Sequence, residues 1–138
     1  MVSIPCGLKT SLLITDIGFL SYWTLTALAA AGVLTIPAEY LYSDYHNPAV
    51  VAWNWSFMPL DVVLSMVGIT AVTLQRQACA SWRPLALVSL SLTICAGLMA
   101  ISFWAMRGEF DWTWWAINLA LVLWPLYFLP QLIKAERE

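Results

Sequence analysis

Two aspartates stand where hydrocarbon should exclude them. Asp16 and Asp61 lie inside long apolar runs, and no Lys, Arg or His shares those runs. An Asp at the centre of a membrane helix costs about 2.5–3.5 kcal/mol on insertion scales. Without a cationic neighbour, each is expected to be protonated, or solvated by hydroxyls, amides, indole N–H groups and water. An acid held in that way can give up a proton, accept a hydrogen bond from a ligand, or cycle its proton during transport.

Asp61 has the richer surroundings. Asn54, Asp61, Ser65 and Gly68 follow spacings of seven, four and three, so they share one helical stripe. Pro59, two residues before the acid, cannot donate an N–H and crowds the preceding turn. It should leave the Trp55 carbonyl without its helical partner. At bilayer depth such a gap is tolerated only where protein or a water-filled cavity fills it. Asn118 falls at a depth similar to Asn54, with Pro125 further in. These features predict a polar pocket opening toward the outer leaflet. Its candidate ligand-binding residues are Asn54, Trp55, Asp61, Ser65, Asn118, Tyr22, Trp104 and Asp16, with Asp61 the candidate catalytic acid. The plainer alternative makes the acid and the amides interhelical hydrogen-bond glue, worth about 0.6 kcal/mol each on average.

Asp16 belongs to a different stripe, Asp16, Leu20, Trp23 and Ala27. Near the start of its helix it can act as a favourable charge against the helix dipole, or as an acceptor for a neighbouring span. It lies about 10 Å in depth from Asp61, so no paired-carboxylate site is implied. The single histidine, His46, sits in the loop Tyr42-Ser43-Asp44-Tyr45-His46-Asn47-Pro48, where Asn-Pro signals a turn. It is expected to be solvated, with titration against Glu39 or Asp44 as the alternative. No metal-ligand spacing exists, and no cofactor is implied. Cys6, Cys79 and Cys95 contain no C-x-x-C pair. Cys95 is expected as a small buried filler within its span.

The elements that must position these residues follow from composition. The chain has 138 residues, 62% of them hydrophobic and 10% charged, against roughly 25% charged in a soluble domain. Its outer surface must therefore face lipid. A bilayer core of about 30 Å needs about 20 helical residues, and four stretches qualify, at about 11–36, 50–74, 84–106 and 112–133. The expectation is an all-α, four-helix membrane bundle in one domain, with sequence neighbours antiparallel. In the third span Ala86, Ser89, Thr93, Gly97 and Ala100 form a small-residue stripe suited to close helix packing. That stripe puts the third helix at the centre of the bundle.

Lys9, Arg76, Arg83, Lys134 and Arg137 fall on one side of this scheme and Arg107 alone on the other. The bias assigns both termini to the cytoplasm and the chain to the cell membrane. The first span has features of a signal peptide, but its apolar run is long and holds Asp16, so an intact first helix is expected. A net charge of −2 without a basic patch makes nucleic acid a poor partner.

The segments Thr15-Asp16-Ile17-Gly18-Phe19, Asp44-Tyr45-His46-Asn47-Pro48, Trp53-Asn54-Trp55-Ser56-Phe57-Met58-Pro59-Leu60-Asp61 and Trp82-Arg83-Pro84-Leu85-Ala86 resemble the YvaD-like family of small bacterial membrane proteins. The likeness runs through nearly the whole chain and implies four spans and no activity. A looser likeness is to the sterol-isomerase-like four-helix membrane fold (the EXPERA type), whose acids and aromatics line a pocket for a lipophilic molecule. It rests only on an outer Asn-Pro-like turn and an acid on the second span, so no catalytic role carries over.

Three functions stay open at this level. The chain is a non-enzymatic binder of a lipophilic molecule or membrane partner; or an isomerase- or cyclase-type enzyme on an isoprenoid-like substrate. In the enzyme, Asp61 would donate a proton while Trp55, Tyr22 and Trp104 stabilise a cation. The third is a proton-coupled carrier, which with four spans would have to oligomerise.

Overall fold

The computed structural model describes residues 4–40 and 42–134, apart from the side chain of Ala38. Ala135 to Glu138, and with them Arg137, lie outside the described residues. The described residues form four helices, α1 (Leu8–Ala30), α2 (Pro48–Arg76), α3 (Trp82–Met106) and α4 (Trp112–Lys134), with one 3-10 turn at Ala38–Tyr40. No strand occurs among the described residues. Even the 23-residue helices reach about 35 Å at 1.5 Å per residue. All four are long and apolar enough to cross a bilayer. Their outward faces carry large apolar side chains, Ile14, Met66, Ile117 and Leu123 among them. In water that surface would drive aggregation; in lipid it has nothing to lose.

Helix ends explain the boundaries. Asn47 caps α2 by accepting the Ala49 N–H at 3.1 Å, with Pro48 in the first position, so the Asn-Pro signal starts a helix as well as a turn. Helix α1 stops at Ala30 rather than running to Ile36. Gly32 adopts φ 71°, and the N–H groups of Gly32 and Val33 fold back to the carbonyls of Ala29 and Leu28 at 3.0 and 2.9 Å. This is the glycine-terminated Schellman end. The run Val33 to Ile36 is apolar but not helical, so hydropathy alone overran the element. Gly108 ends α3 with the same pair of backward bonds. At the end of α2 Ala78 takes that position with φ 53°, a left-handed conformation that costs an L-residue about 1–2 kcal/mol.

Sequence neighbours pack on one another: α1 on α2, α2 on α3, α3 on α4. At the end where α1 begins and α4 stops, here the terminal end, all four helices converge. Leu8 and Leu12 of α1 join Ala71 and Val72 of α2, Ala86 and Leu90 of α3, and Phe128 and Leu132 of α4 in one buried cluster. At the opposite, distal end the core is smaller: Tyr42, Val50 and Trp104 are buried, and Trp53 stacks on Phe103 at 3.9 Å.

The small-residue stripe of α3 is buried at every expected position. It brings α3 and α4 into close contact. A Cβ built on Gly97 would fall 2.6 Å from the Asn118 backbone oxygen and 2.9 Å from Val122, so the glycine sets how near α4 can lie. On the α2 side Ser89 Oγ donates to the Leu64 carbonyl at 3.2 Å. Cys95 is a correction. It is exposed on the outward face of α3, because the inward positions around it belong to Thr93, Ala96 and Gly97.

Candidate functional site

Antiparallel packing of α1 on α2 puts rising residue numbers of one helix against falling numbers of the other. Trp23 therefore meets Asp61, and Asp16, seven residues back, meets Gly68, seven residues on. Both pairings are seen. The Trp23 indole N–H donates to Asp61 Oδ2 at 2.8 Å in a buried setting. The Asp16 carboxyl sits where a Gly68 side chain would be, so a Cβ there would collide with it and approach Ser89 Oγ. The two acids are thus separate sites about 10 Å apart in depth.

Asp61 is 4% exposed, and its Oδ1 has no hydrogen-bond partner among the described residues. Asp16 is fully buried, and neither of its oxygens has a partner among the described residues. A buried acceptor without a donor costs about 1–3 kcal/mol, more when charged. Asn54 shares this condition, since its Nδ2 is also buried without a partner among the described residues. Asn118 donates to the Trp114 carbonyl of its own helix at 2.8 Å, which satisfies that amide locally.

The helices converge at the terminal end but leave α1 and α4 apart toward the distal half. There a cavity of about 430 Å³ opens, within the size range of small-molecule sites. Ala96 and Ala100 of α3 form its back wall, and their small side chains create the space. Phe19, Tyr22 and Trp23 of α1, Phe57 and Asp61 of α2, and Trp114 of α4 give it aromatic sides with one acid among them. Gly18 stands at the rim, where an added Cβ would meet nothing within 4 Å.

The sequence-derived residues divide cleanly. Tyr22, Asn54, Asp61 and Asn118 line this cavity together. Trp55, Ser65, Trp104 and Asp16 are not in its lining. Trp55 supports the site from behind, 5.6 Å ring to ring from Trp23. Ser65 is fully buried in α2. Trp104 belongs to the distal core and to a second hollow beside Glu109 and Asp111. Of Trp55, Tyr22 and Trp104, only Tyr22 borders the cavity with Asp61, and Trp23, Phe19 and Phe57 border it as well. Trp23 carried a signal in sequence, since it shares a stripe with Asp16. Only the helix register converts it into the donor for Asp61.

At the distal end Arg107 links the two connecting loops. It reaches Asp44 and Glu109, each at 2.7 Å, and lies over the faces of Phe103 and Trp104. Asp44 also accepts from Asn47 at 3.3 Å. Glu39 accepts from the Tyr45 hydroxyl at 3.2 Å, which holds that phenol above the usual tyrosine range. Both acids considered for His46 are thus engaged elsewhere. His46 itself is exposed and packs against the Tyr45 ring at 4.1 Å. Among the described residues no group of three His, Cys, Asp or Glu is placed to hold a metal.

Fold and site together define an all-helical, four-span membrane protein with an acid-bearing cavity that opens between α1 and α4. The chain belongs to the family of unknown function DUF5360, whose model matches residues 8–138. It is 42% identical over 131 residues to the uncharacterized protein YvaD of Bacillus subtilis (strain 168), a match covering 95% of each chain. No solved structure matches it.

Proposed function

We propose that the protein binds a lipophilic small molecule in the cavity beside Asp61, taking it up from the bilayer between α1 and α4. The observation that carries this reading is the division of the bundle. Four helices close tightly on the cluster around Leu12 and Phe128, yet about 430 Å³ stays open at the distal half. Packing for stability alone would fill such a space, because each buried void forfeits dispersion contacts. Gly18 at the rim and Ala96 and Ala100 at the back keep it empty. The mouth lies on a lipid-facing flank, so a ligand dissolved in the membrane reaches it without crossing water.

The protein is a multi-pass protein of the cell membrane in this reading, with its terminal end cytoplasmic. Lys9, Arg76, Arg83 and Lys134 gather at that end, and the one distal cation, Arg107, is matched by Asp44 and Glu109. A membrane-impermeant thiol reagent should label the exposed Cys6 in inverted vesicles and not in intact cells. Labelling from outside the cell would reverse the orientation.

For the ligand itself, 4-phenylbutanol is a suitable neutral probe. Titrated into nanodiscs carrying the protein, it should give saturable heat beyond that of empty nanodiscs, with a Kd in the micromolar to millimolar range for so small a molecule. Heat indistinguishable from simple partitioning into lipid would remove the binding reading.

A further inference from the structure

Every charged group that the cavity presents is negative, and there is one of them. Asp61 stands in its wall at 4% exposure, and its Oδ1 has no partner among the described residues. Its other oxygen is taken by the Trp23 indole, a neutral donor. No lysine, arginine or histidine occurs in α2 before Arg76, or in α1 beyond Lys9. The protein therefore supplies no counter-charge at this depth.

The surrounding walls are not neutral toward charge. Aromatic faces carry negative quadrupole density and attract cations, most strongly when water is excluded. Phe19, Tyr22, Trp23, Phe57 and Trp114 all border the cavity that Asp61 borders. An acid in the wall of an aromatic-lined cavity, with one oxygen lacking a partner among the described residues, is a poor host for an anion. It also gives a neutral apolar body nothing for its unclaimed acceptor. Both features are met at once by an N–H donor that carries positive charge.

We infer that the ligand class of this cavity is a lipophilic monovalent amine in its ammonium form, with its N–H directed to Asp61 and its apolar body against the aromatic walls. The inference rests on the binding reading above and narrows it. Ligand and proton then compete for one carboxylate. An acid that is protonated when the cavity is empty must release that proton to water as the ammonium binds, and no other bond is made or broken. Binding should accordingly strengthen as pH rises, by at most tenfold per unit, for as long as the amine itself stays charged.

The test compares 4-phenylbutylamine with 4-phenylbutanol, which share one body and differ in charge, by calorimetric titration of the unmodified protein in nanodiscs. Titrations in two buffers of different ionisation enthalpy count the protons released. The expected result is an amine affinity at least about tenfold above that of the alcohol, improving between pH 6 and pH 8, while the alcohol's affinity does not change with pH. Asp61→Asn keeps the acceptor for Trp23 and should bring the amine down to the level of the alcohol, with thermal unfolding used to check that the variant is folded. Equal affinities for the two probes in the unmodified protein, or an amine preference that survives Asp61→Asn, would overturn the inference while leaving the cavity as a binding site. Failure of both probes to bind would remove the binding reading as well, and the inference with it.

Discussion

Gly68→Ala is expected to destabilise the folded chain by about 1–3 kcal/mol, the range for forcing a methyl group into a filled space. The cause lies in three helices meeting at one point. The Asp16 carboxyl of α1 occupies the notch that Gly68 leaves in α2, and Ser89 of α3 closes it, its Oγ 2.8 Å from where the new Cβ would be. The acid cannot swing outward without dragging a polar group through the packed seam of α1 and α2. Asp16→Ala alone should leave stability within about 1 kcal/mol of the parent or raise it, because the group removed has no hydrogen-bond partner among the described residues. The double variant Gly68→Ala with Asp16→Ala should recover most of the loss, since the space the methyl needs is then vacant. Thermal unfolding of the four proteins in one detergent measures this cycle. Strictly additive effects would show that Asp16 does not nest against Gly68.

The second large effect is on binding and leaves the fold alone. Gly18 lies within α1, has ordinary helical backbone, and borders open space. Gly18→Phe gains helix propensity and adds a ring at the rim of the cavity. Stability should therefore hold or rise, while the affinity for 4-phenylbutanol falls at least about tenfold, or 1.4 kcal/mol. Most substitutions that abolish binding also weaken the protein, so the opposite signs identify occlusion. Unchanged affinity in a stable Gly18→Phe protein would place the ligand elsewhere.

The number of membrane-compatible helices and the class of fold were legible in the chain, because each follows from local properties. Hydropathy over about 20 residues reports on solvent, and helical periodicity places Asn54, Asp61, Ser65 and Gly68 on one buried stripe. The small-residue stripe of α3 was legible for the same reason. The end of α1 was less so, since Val33 to Ile36 are as apolar as the helix before them. There a glycine conformation, not solvent preference, decides.

Partnership is what only the assembled bundle decides. That Trp23 donates to Asp61, that Asp16 fills the notch of Gly68, and that Trp104 sits away from the acid all depend on the register between helices. Register is a sum of many weak contacts across the α1–α2 and α3–α4 seams, and no window of sequence contains both sides of a seam. The cavity depends on it too: Ala96, Ala100 and Gly18 look like ordinary small residues until helices 1 and 4 are seen to part above the Leu12–Phe128 cluster. Sequence chose the solvent and the faces; packing chose which groups meet, because contact energy is realised only between surfaces that have already been brought together.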